Sequence, residues 1–191
     1  IMFIQIERVI NMLNAQQQVF LQALEELDLA QVQRLLADGL DPNFIDPEKG
    51  PAVSVWSDGL FKWWEAICEA YEAGQELTAE QKQQTLQVHL DILDALILAK
   101  ANLHLWDAEE SYGPLWDAAS AACTPAVLRL LDHQVNPNTR DEEGKTILTS
   151  ISDLFFDQDF DQIDWSQALP EEKETLELLR SRGAKMSKEL N

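Results

Sequence analysis

Apolar residues recur with helical spacing near the ends of several segments of the chain. In the first segment, Val32, Leu35 and Leu36 are three and four positions apart. Because an α-helix repeats every 3.6 residues, side chains with this spacing lie on one helical face. Two further segments repeat the pattern, with Leu93, Leu96 and Ile97 in one and Val127, Leu130 and Leu131 in the other. The pattern predicts a series of amphipathic helices.

The ends of these helices belong to a segment that repeats along the chain. Residues 36–43 (LADGLDPN) return as residues 131–138 (LDHQVNPN), 95 positions later. Residues 97–104 (ILAKANLH) give a third copy, and residues 178–184 (LLRSRGA) give a looser fourth copy. Self-similarity of this kind indicates a repeated structural unit.

Each copy carries residues that are typical of a helix end followed by a turn. Gly39 and Gly183 stand where the residue after a helix commonly adopts left-handed backbone. Lys100 and Gln134 take that place in the two middle copies. The Asp-Pro-Asn sequence at 41–43 then favours a tight bend. We therefore expect a helix C-terminus and a polar turn in every copy.

Helix starts also recur. Pro114 follows a glycine and precedes Leu115, and proline is favoured in the first turn of a helix. Leu148 lies 33 residues after Leu115, and Gly50 and Pro51 form a similar start earlier in the chain. The repeated unit therefore also contains a helix start, and successive starts lie about 33 residues apart.

These features together resemble ankyrin repeats: a period near 33, a Thr-Pro-Leu-His-like helix start, a Leu-Leu-x-x-Gly-Ala-Asp-like helix end and an Asn-x-x-Asp turn. The resemblance covers about residues 20–184. In the best-formed unit, 113–144, the family positions are held by Pro114, Leu115, Ala118, Ala119, Leu130, Leu131, Asn138 and Asp141. Trp116 and Thr149 replace the usual histidine, and Ile147 replaces the proline.

The resemblance implies an all-α fold, a short ankyrin-like α-solenoid of antiparallel helix pairs with protruding turns. We expect one domain over 1–191, built from about four divergent repeats. Residues 1–18 are interpreted as either an N-terminal capping helix or an expression remnant.

Two insertions interrupt the period. The helical insertion is placed at 58–84, with Thr78 as the expected N-cap of the following helix. The acidic and aromatic insertion is placed at 155–169, after which Pro170 is expected to begin the last helix. Insertions in a repeat array often lie on the binding face.

The charge balance restricts the possible partners. The 14 Lys and Arg residues are outnumbered by 34 Asp and Glu residues, for a formal net charge of −20. Such a surface repels phosphate groups, so we expect no direct binding to nucleic acid. It attracts a protein with a basic or mixed surface, although the acidity is equally explained as a device for solubility.

The cellular setting is predicted from two further features. No apolar run reaches the roughly 18 residues that a membrane span requires, so no membrane insertion is expected. Cys68 and Cys123 fit reduced, buried thiols, and we expect a cytoplasmic protein.

No catalytic or metal-binding signature is present in the sequence. The chain has no glycine-rich phosphate loop, and its three histidines are far apart. The alternating acids from Asp157 resemble a calcium loop, but Gln162 and Ala168 stand where glycine and glutamate are needed. We therefore expect neither an enzyme nor a bound metal or cofactor.

The expected contact residues are the acidic turn tips, the 155–169 insertion and the tryptophans, since tryptophan is enriched among the residues that dominate binding energy. Packing in the core is the equal alternative for Trp56 and Trp116. Trp63 and Trp64 are adjacent on one helix and diverge by about 100 degrees, so one of them is expected to face a partner. The full set is Asp41, Asn43, Asp46, Trp56, Trp63, Trp64, His104, Trp106, Asp107, Glu109, Glu110, Trp116, Asn136, Asn138, Asp141, Glu142, Glu143, Asp157, Asp159, Phe160, Asp161 and Trp165.

The sequence thus favours a non-catalytic protein–protein interaction module, which would act as an adaptor, an assembly factor or a chaperone-like binder. An alternative is an inhibitor or immunity-type protein that blocks a basic nucleic-acid-binding enzyme by carboxylate mimicry of phosphates. Residues 141–164 favour that alternative, because they contain eight acids and the single base Lys145. The oligomeric state is left open.

Overall fold

The fold is mostly helical. A computed structural model describes residues 13–75, 77–105 and 113–190. The elements in chain order are α1 (Ala15–Glu25), α2 (Leu29–Ala37), β1 (Ile45–Asp46), β2 (Gly50–Pro51), α3 (Ala52–Glu72), α4 (Ala79–Leu98), α5 (Pro114–Ser120), α6 (Thr124–Asp132), α7 (Ile147–Phe156) and α8 (Pro170–Ser181), with short 3-10 turns at Phe160–Gln162 and Ser187–Glu189. The prediction of an all-α fold is confirmed.

The first turn of a helix leaves backbone N–H groups without partners. The helices begin at residues whose side chains accept from these groups, or at a proline, which has no N–H group. Thr78 caps α4, where its side chain accepts from the N–H of Gln81 and the Gln81 side chain accepts in return. Asn14 and Gln17 make the same arrangement at α1. Pro170 opens α8 without needing a hydrogen bond for its nitrogen. The predicted starts at Thr78 and Pro170 are confirmed.

The ends of α2, α4, α6 and α8 share one conformation. Gly39, Lys100, Gln134 and Gly183 all have positive φ, between 61° and 91°. In each case the next residue donates its N–H to a carbonyl five positions back, as Leu40 does to Leu35 over 3.1 Å. This bond satisfies a carbonyl that the helix end leaves free. The left-handed backbone expected at Gly39 and Gly183 is confirmed, and Lys100 and Gln134 adopt it as well, although neither is a glycine.

The helices pack in a regular order. Each pair packs together, namely α1 with α2, α3 with α4, α5 with α6 and α7 with α8. The first helices contact each other in sequence (α1 to α3, α3 to α5, α5 to α7), and so do the second helices (α2 to α4, α4 to α6, α6 to α8). One continuous apolar core lies between the two rows.

Turns between the pairs form short hairpins. β1 and β2 pair antiparallel, with Asp46 opposite Gly50. A single antiparallel bridge between Arg140 and Thr146 marks the corresponding turn before α7. Asp46 accepts from the N–H groups of Glu48 and Lys49, at 2.8 and 2.7 Å, and so closes the first hairpin.

The insertion at 58–84 lengthens two helices. α3 has 21 residues and α4 has 20, and they are joined through a turn that contains Gly74. Lys82 on α4 donates to the Tyr71 hydroxyl of α3 at 2.8 Å and pairs with Glu171 of α8. This half-buried contact ties the insertion to the last helix.

The two cysteines are free thiols in different surroundings. Cys123 is buried, and burial raises the pKa of its thiol to about 12. Cys68 is half-buried, so the prediction of two buried thiols is wrong for this residue. Its pKa is raised by burial and, to a smaller extent, by nearby carboxylates such as Glu172. Among the described helices, none has the length and apolar character that crossing a bilayer would require.

Candidate binding groove

A groove of about 790 Å³ lies along the row of first helices. Its lining comes from α1, α3, α5 and α7, from the β1–β2 hairpin and from one side chain of α4. We call it the central groove. Its lining residues are Glu25, Leu27, Glu48, Lys49, Pro51, Ser54, Val55, Asp58, Gly59, Phe61, Lys62, His89, Trp116, Asp117, Ser120, Ser150, Ile151 and Leu154.

Two large apolar side chains of the central groove are exposed. Phe61 of α3 is 38% exposed and Leu154 of α7 is 61% exposed. An exposed apolar side chain alone is ordinary, but two on one concave surface offer packing area to another molecule. These residues supply the apolar part of the candidate site.

Two polar atoms of the central groove have no hydrogen-bond partner among the residues that the structure describes. They are the imidazole Nδ1 of His89 and the hydroxyl of Ser54, both shielded from solvent. A buried polar atom without a partner costs about 1–3 kcal/mol. Such atoms are uncommon in folded proteins, and both of these are closed to solvent where α3 and α4 pack together.

The imidazole of His89 occupies space that a glycine leaves open. Gly59 lies within α3, and a Cβ atom at this position would lie 3.2 Å from the His89 Cε1 atom. Glycine inside a helix costs about 1 kcal/mol relative to alanine. The His89 ring on α4 comes so close that it leaves little room for a Cβ atom at position 59, which explains why glycine is tolerated in this helix.

Burial keeps this imidazole neutral. His89 is 4% exposed, and desolvation lowers its pKa to about 4. At neutral pH one ring nitrogen therefore donates and the other accepts. Trp56 donates its indole N–H to the His89 carbonyl at 2.9 Å, which fixes the α4 backbone against α3.

The charged groups of the central groove are predominantly negative. Carboxylates come from Glu25, Glu48, Asp58 and Asp117, whereas the two ammonium groups come from Lys49 and Lys62. Glu25 and Lys49 form an ion pair at one end. On α5, Asp117 is 7% exposed as a residue, and its carboxylate accepts from the Ser57 hydroxyl at 2.5 Å.

The structure buries three of the tryptophans that were expected as possible partner contacts. Trp56, Trp63 and Trp116 are buried at 0%, 7% and 3% exposure, so none offers a free indole face to a partner. Of the adjacent pair, Trp63 donates to the Lys82 carbonyl at 3.4 Å, and Trp64 is half-buried. The alternative of core packing is correct for Trp56 and Trp116, because each lies where first helices face the core.

The turn residues are used mainly within the chain. Asn43 and Asn138 hydrogen-bond to neighbouring turns, and Asp141 accepts from the Lys145 N–H at 2.8 Å. These side chains therefore hold the turns together, and their expected contact with a partner stays a prediction. The exposed turn residues are Asp41, His104, Asn136, Glu142 and Glu143, while Asp46 is half-buried. Trp106, Asp107, Glu109 and Glu110 lie outside the described residues.

The 155–169 insertion folds on itself. Trp165 contacts the rings of Phe156 and Phe160 edge-on, with centroids 5.8 and 5.7 Å apart. Lys173 lies over the Trp165 ring at 5.9 Å. The aromatic residues are thus half-buried against one another rather than fully presented to a partner.

The acids of this insertion have different roles. Asp159 forms an ion pair with Lys188 at 2.7 Å, and the exposed Asp157 adopts left-handed backbone at the end of α7. Asp161 is exposed. In the described part of the chain, no group of three or more His, Cys, Asp or Glu side chains is arranged to hold a metal ion.

The central groove was not predicted from the sequence. Trp116 is the one residue of the expected contact set that belongs to its lining, and it is buried. The interior glycine at 59 was an available signal, because a helix tolerates glycine best where another group approaches closely. Comparison with protein-family models and with curated proteins gave no match for the chain.

Proposed function

We propose that this chain is a non-catalytic protein–protein interaction module with an ankyrin-like solenoid architecture. The architecture is supported by the two rows of helices, in which each pair contacts the next in sequence. Identical left-handed helix ends at Gly39, Lys100, Gln134 and Gly183 support a common repeated unit. Such a unit presents one continuous concave surface along its first helices.

The observation that carries the functional proposal is the central groove. It joins exposed apolar side chains, Phe61 and Leu154, to a negative lining. Interfaces combine apolar anchors with complementary charge, and the net charge of −20 accelerates encounter with a basic protein. An adaptor, assembly factor or chaperone-like binder for a basic or mixed protein surface fits this combination.

The inhibitor alternative receives less support. It requires a row of unpaired carboxylates that resemble phosphates, and the sequence placed this row at 141–164. Asp153 forms an ion pair with Lys145, and Asp159 forms one with Lys188. Asp141 closes a turn. Glu143 also pairs with Lys145, and Asp164 accepts from the Ser166 N–H at 3.1 Å, so five of the eight acids are engaged within the chain.

The test is affinity capture from the lysate of the native host, followed by binding measurements with the purified partner. We expect one or a few basic proteins whose retention decreases with salt, since screening weakens surface charge attraction. The Phe61→Ser/Leu154→Ser double variant should lose the partner, whereas Leu98→Ser, at a residue that is 85% exposed outside the groove, should keep it. Equal binding by both variants contradicts a role for the groove. Failure to retain any specific protein contradicts the proposed function.

A further inference from the structure

Helices α3 and α4 are much longer than the helices of the next pair. They contain 21 and 20 residues, whereas α5 and α6 contain 7 and 9. At 1.5 Å per residue, each is roughly 15–20 Å longer than its counterpart. Both α3 and α5 start beside a Gly-Pro sequence, and both α4 and α6 end at a left-handed residue. The extra length therefore lies at the C-terminus of α3 and the N-terminus of α4, beyond the turn that joins α5 to α6.

The last helix also extends past that short turn. The hydroxyls of Thr124 and Thr175 lie 2.8 Å apart, and Thr124 is the first residue of α6. On α8, Thr175 comes more than one helical turn after the first residue, Pro170. Because α4, α6 and α8 are the second helices of successive pairs, the second and fourth pairs project on the same side of the third.

Three side chains connect these projections. Lys82 of α4 donates to the Tyr71 hydroxyl of α3 at 2.8 Å and forms an ion pair with Glu171 in the first turn of α8. The Tyr71 hydroxyl donates to the same carboxylate at 3.4 Å. The side chains of Lys82 and Glu171 are only 16% and 15% exposed. We call Tyr71, Lys82 and Glu171 the clasp.

The ammonium group of Lys82 holds the clasp together. Burial by itself lowers the pKa of Lys82, but the hydrogen bonds that Glu171 and Tyr71 accept raise this pKa overall. Lys82 also lies over the Tyr71 ring, 4.9 Å from its centroid. The lysine is therefore charged at neutral pH, and salt screens a half-buried ion pair less than an exposed one.

We infer that the clasp fixes the curvature of the array of helix pairs and so sets the separation of α3 and α7 across the central groove. In a repeat array each unit contacts only its neighbours, and the curvature is the sum of small rotations between units. The clasp joins the second pair to the fourth and therefore restrains two of these rotations at once. Phe61 of α3 and Leu154 of α7 stand on the two walls whose separation it restrains.

The clasp can open while the protein stays folded. Its contacts are polar, whereas neighbouring pairs are held together by the apolar core. Polar contacts near the surface add little to global stability, and burial of apolar area adds most of it. Loss of the clasp should therefore release the second and fourth pairs about the third and broaden the range of groove widths.

Pulsed electron–electron double resonance between two spin labels measures the groove width. The labels replace the exposed Lys62 on α3 and Leu154 on α7, and Cys68→Ser and Cys123→Ala remove the native thiols. Two helix spacings separate these walls, which is about 20 Å and within range of the method. Lys82→Met removes the charge of the clasp and should broaden the distance distribution.

Matched variants separate the clasp from ion pairs in general. Glu171→Gln removes the other charge of the clasp and should broaden the distribution in the same way. Arg129→Met is the control, because Arg129 of α6 pairs with Asp94 of the neighbouring α4 at 2.9 Å. Loss of this pair between adjacent helix pairs should leave the distribution unchanged. An unchanged distribution in Lys82→Met, or equal broadening in Arg129→Met, would overturn the inference.

The native Cys68 provides a second readout. It lies three residues before Tyr71 on α3, where burial raises the pKa of its thiol and nearby carboxylates, among them Glu171, raise it further. We expect Lys82→Met to at least about double the rate at which this thiol reacts with a disulfide reagent, because the open clasp exposes it. Loss of the lysine charge alone disfavours the thiolate, so a faster reaction reports exposure. The buried Cys123 should stay unreactive, and an unchanged Cys68 rate contradicts the opening.

The clasp rests on the proposed function only for the use of the groove, since neither measurement needs a partner. If Lys82→Met broadens the distance distribution and no protein is captured from lysate, the clasp stands and the proposed function is wrong. If a partner is captured while Lys82→Met has the groove width and Cys68 reactivity of the unchanged protein, the interaction function stands and the clasp is wrong.

Discussion

Asn43 and Asn138, which are 95 residues apart, make the same pair of hydrogen bonds to the turn of the following helix pair. Asn43 donates to the Lys100 carbonyl at 3.3 Å and accepts from the Asn102 N–H at 2.6 Å. Asn138 donates to the Gly183 carbonyl at 3.0 Å and accepts from the Lys185 N–H at 2.8 Å. One carboxamide therefore links the turn after α2 to the turn after α4, and another links the turn after α6 to the turn after α8, so the repeat extends to individual hydrogen bonds.

Removal of either carboxamide should destabilise the protein. Asn138→Ala breaks two hydrogen bonds, and we expect the free energy of unfolding to fall by about 1–2 kcal/mol. Asn43→Ala should have a similar effect, and the two changes should add because they affect separate turns. Urea unfolding measures the loss. Asn136→Ala is the control, because the Asn136 side chain accepts one local hydrogen bond, from the Asn138 N–H. An equal loss in the control contradicts the special role of the linking carboxamides.

Glycine at the non-glycine helix ends should stabilise the fold. Lys100 and Gln134 have φ values of 61° and 65°, which strain any residue that has a Cβ atom. We expect Gln134→Gly to raise the free energy of unfolding by about 0.5–1 kcal/mol.

The reverse substitution is the matched control for this prediction. Gly39→Gln should destabilise by about the same amount, although no atom lies within 4 Å of the Cβ that it introduces. Thermal unfolding of both variants provides the measurement. A gain from Gly39→Gln would mean that backbone conformation does not control these positions.

Stability should decrease between about pH 6.5 and pH 4 because of His89. The folded protein keeps this imidazole neutral, with a pKa of about 4, whereas the unfolded chain takes up a proton below its ordinary value of 6.5. The unfolded state therefore binds more protons in this window, and stability is lost as the pH falls. The shift corresponds to roughly 3 kcal/mol.

Guanidinium-induced unfolding at pH 7, 5.5 and 4 tests this dependence. His89→Gln cannot titrate, so its stability should change less with pH over the same range. His104→Gln, at an exposed histidine, should keep the full dependence. Identical pH profiles for His89→Gln and the unchanged protein would contradict the assignment to His89.

Gly59 and His89 should be energetically coupled. Alanine improves helix propensity at position 59 by about 1 kcal/mol, but its Cβ would press on the imidazole at 3.2 Å. We expect Gly59→Ala to give little or no gain by itself and a gain of about 1 kcal/mol in a His89→Ala background. The double-mutant cycle measures the coupling directly, and additive effects would mean that the glycine has no relation to the ring.

Local structure was accessible from the sequence. The N-cap at Thr78, the helix start at Pro170 and the left-handed residues Gly39 and Gly183 depend on a few neighbouring residues, and all four were predicted. The same backbone at Lys100 and Gln134 was not predicted, because neither residue is a glycine. Helix pairs were also predicted, because the 3.6-residue apolar pattern and its 95-residue recurrence are properties of the chain itself.

The surface of the protein was harder to predict. Trp56 and Trp116 were expected to contact a partner with the same weight as the core, and one of Trp63 and Trp64 was expected to face a partner. The structure buries Trp56, Trp63 and Trp116 and leaves Trp64 half-buried. Burial of a tryptophan depends on which helix faces it across the core, and the sequence pattern of one helix does not contain this information. The pairing of the acids at 141–164 was equally hard to predict. Asp159 forms its ion pair with Lys188, which lies far away in the sequence.

The sequence by itself therefore determined the repeated helices, their ends and the excess of negative charge, because spacing, turn residues and composition act locally. Only the tertiary structure decided where a site could form. It brought Ser54 of α3, His89 of α4 and Leu154 of α7 to one groove, where two polar atoms find no partner in the described part of the chain. Residues far apart in sequence form such a site only when packing of the core fixes their helices against one another.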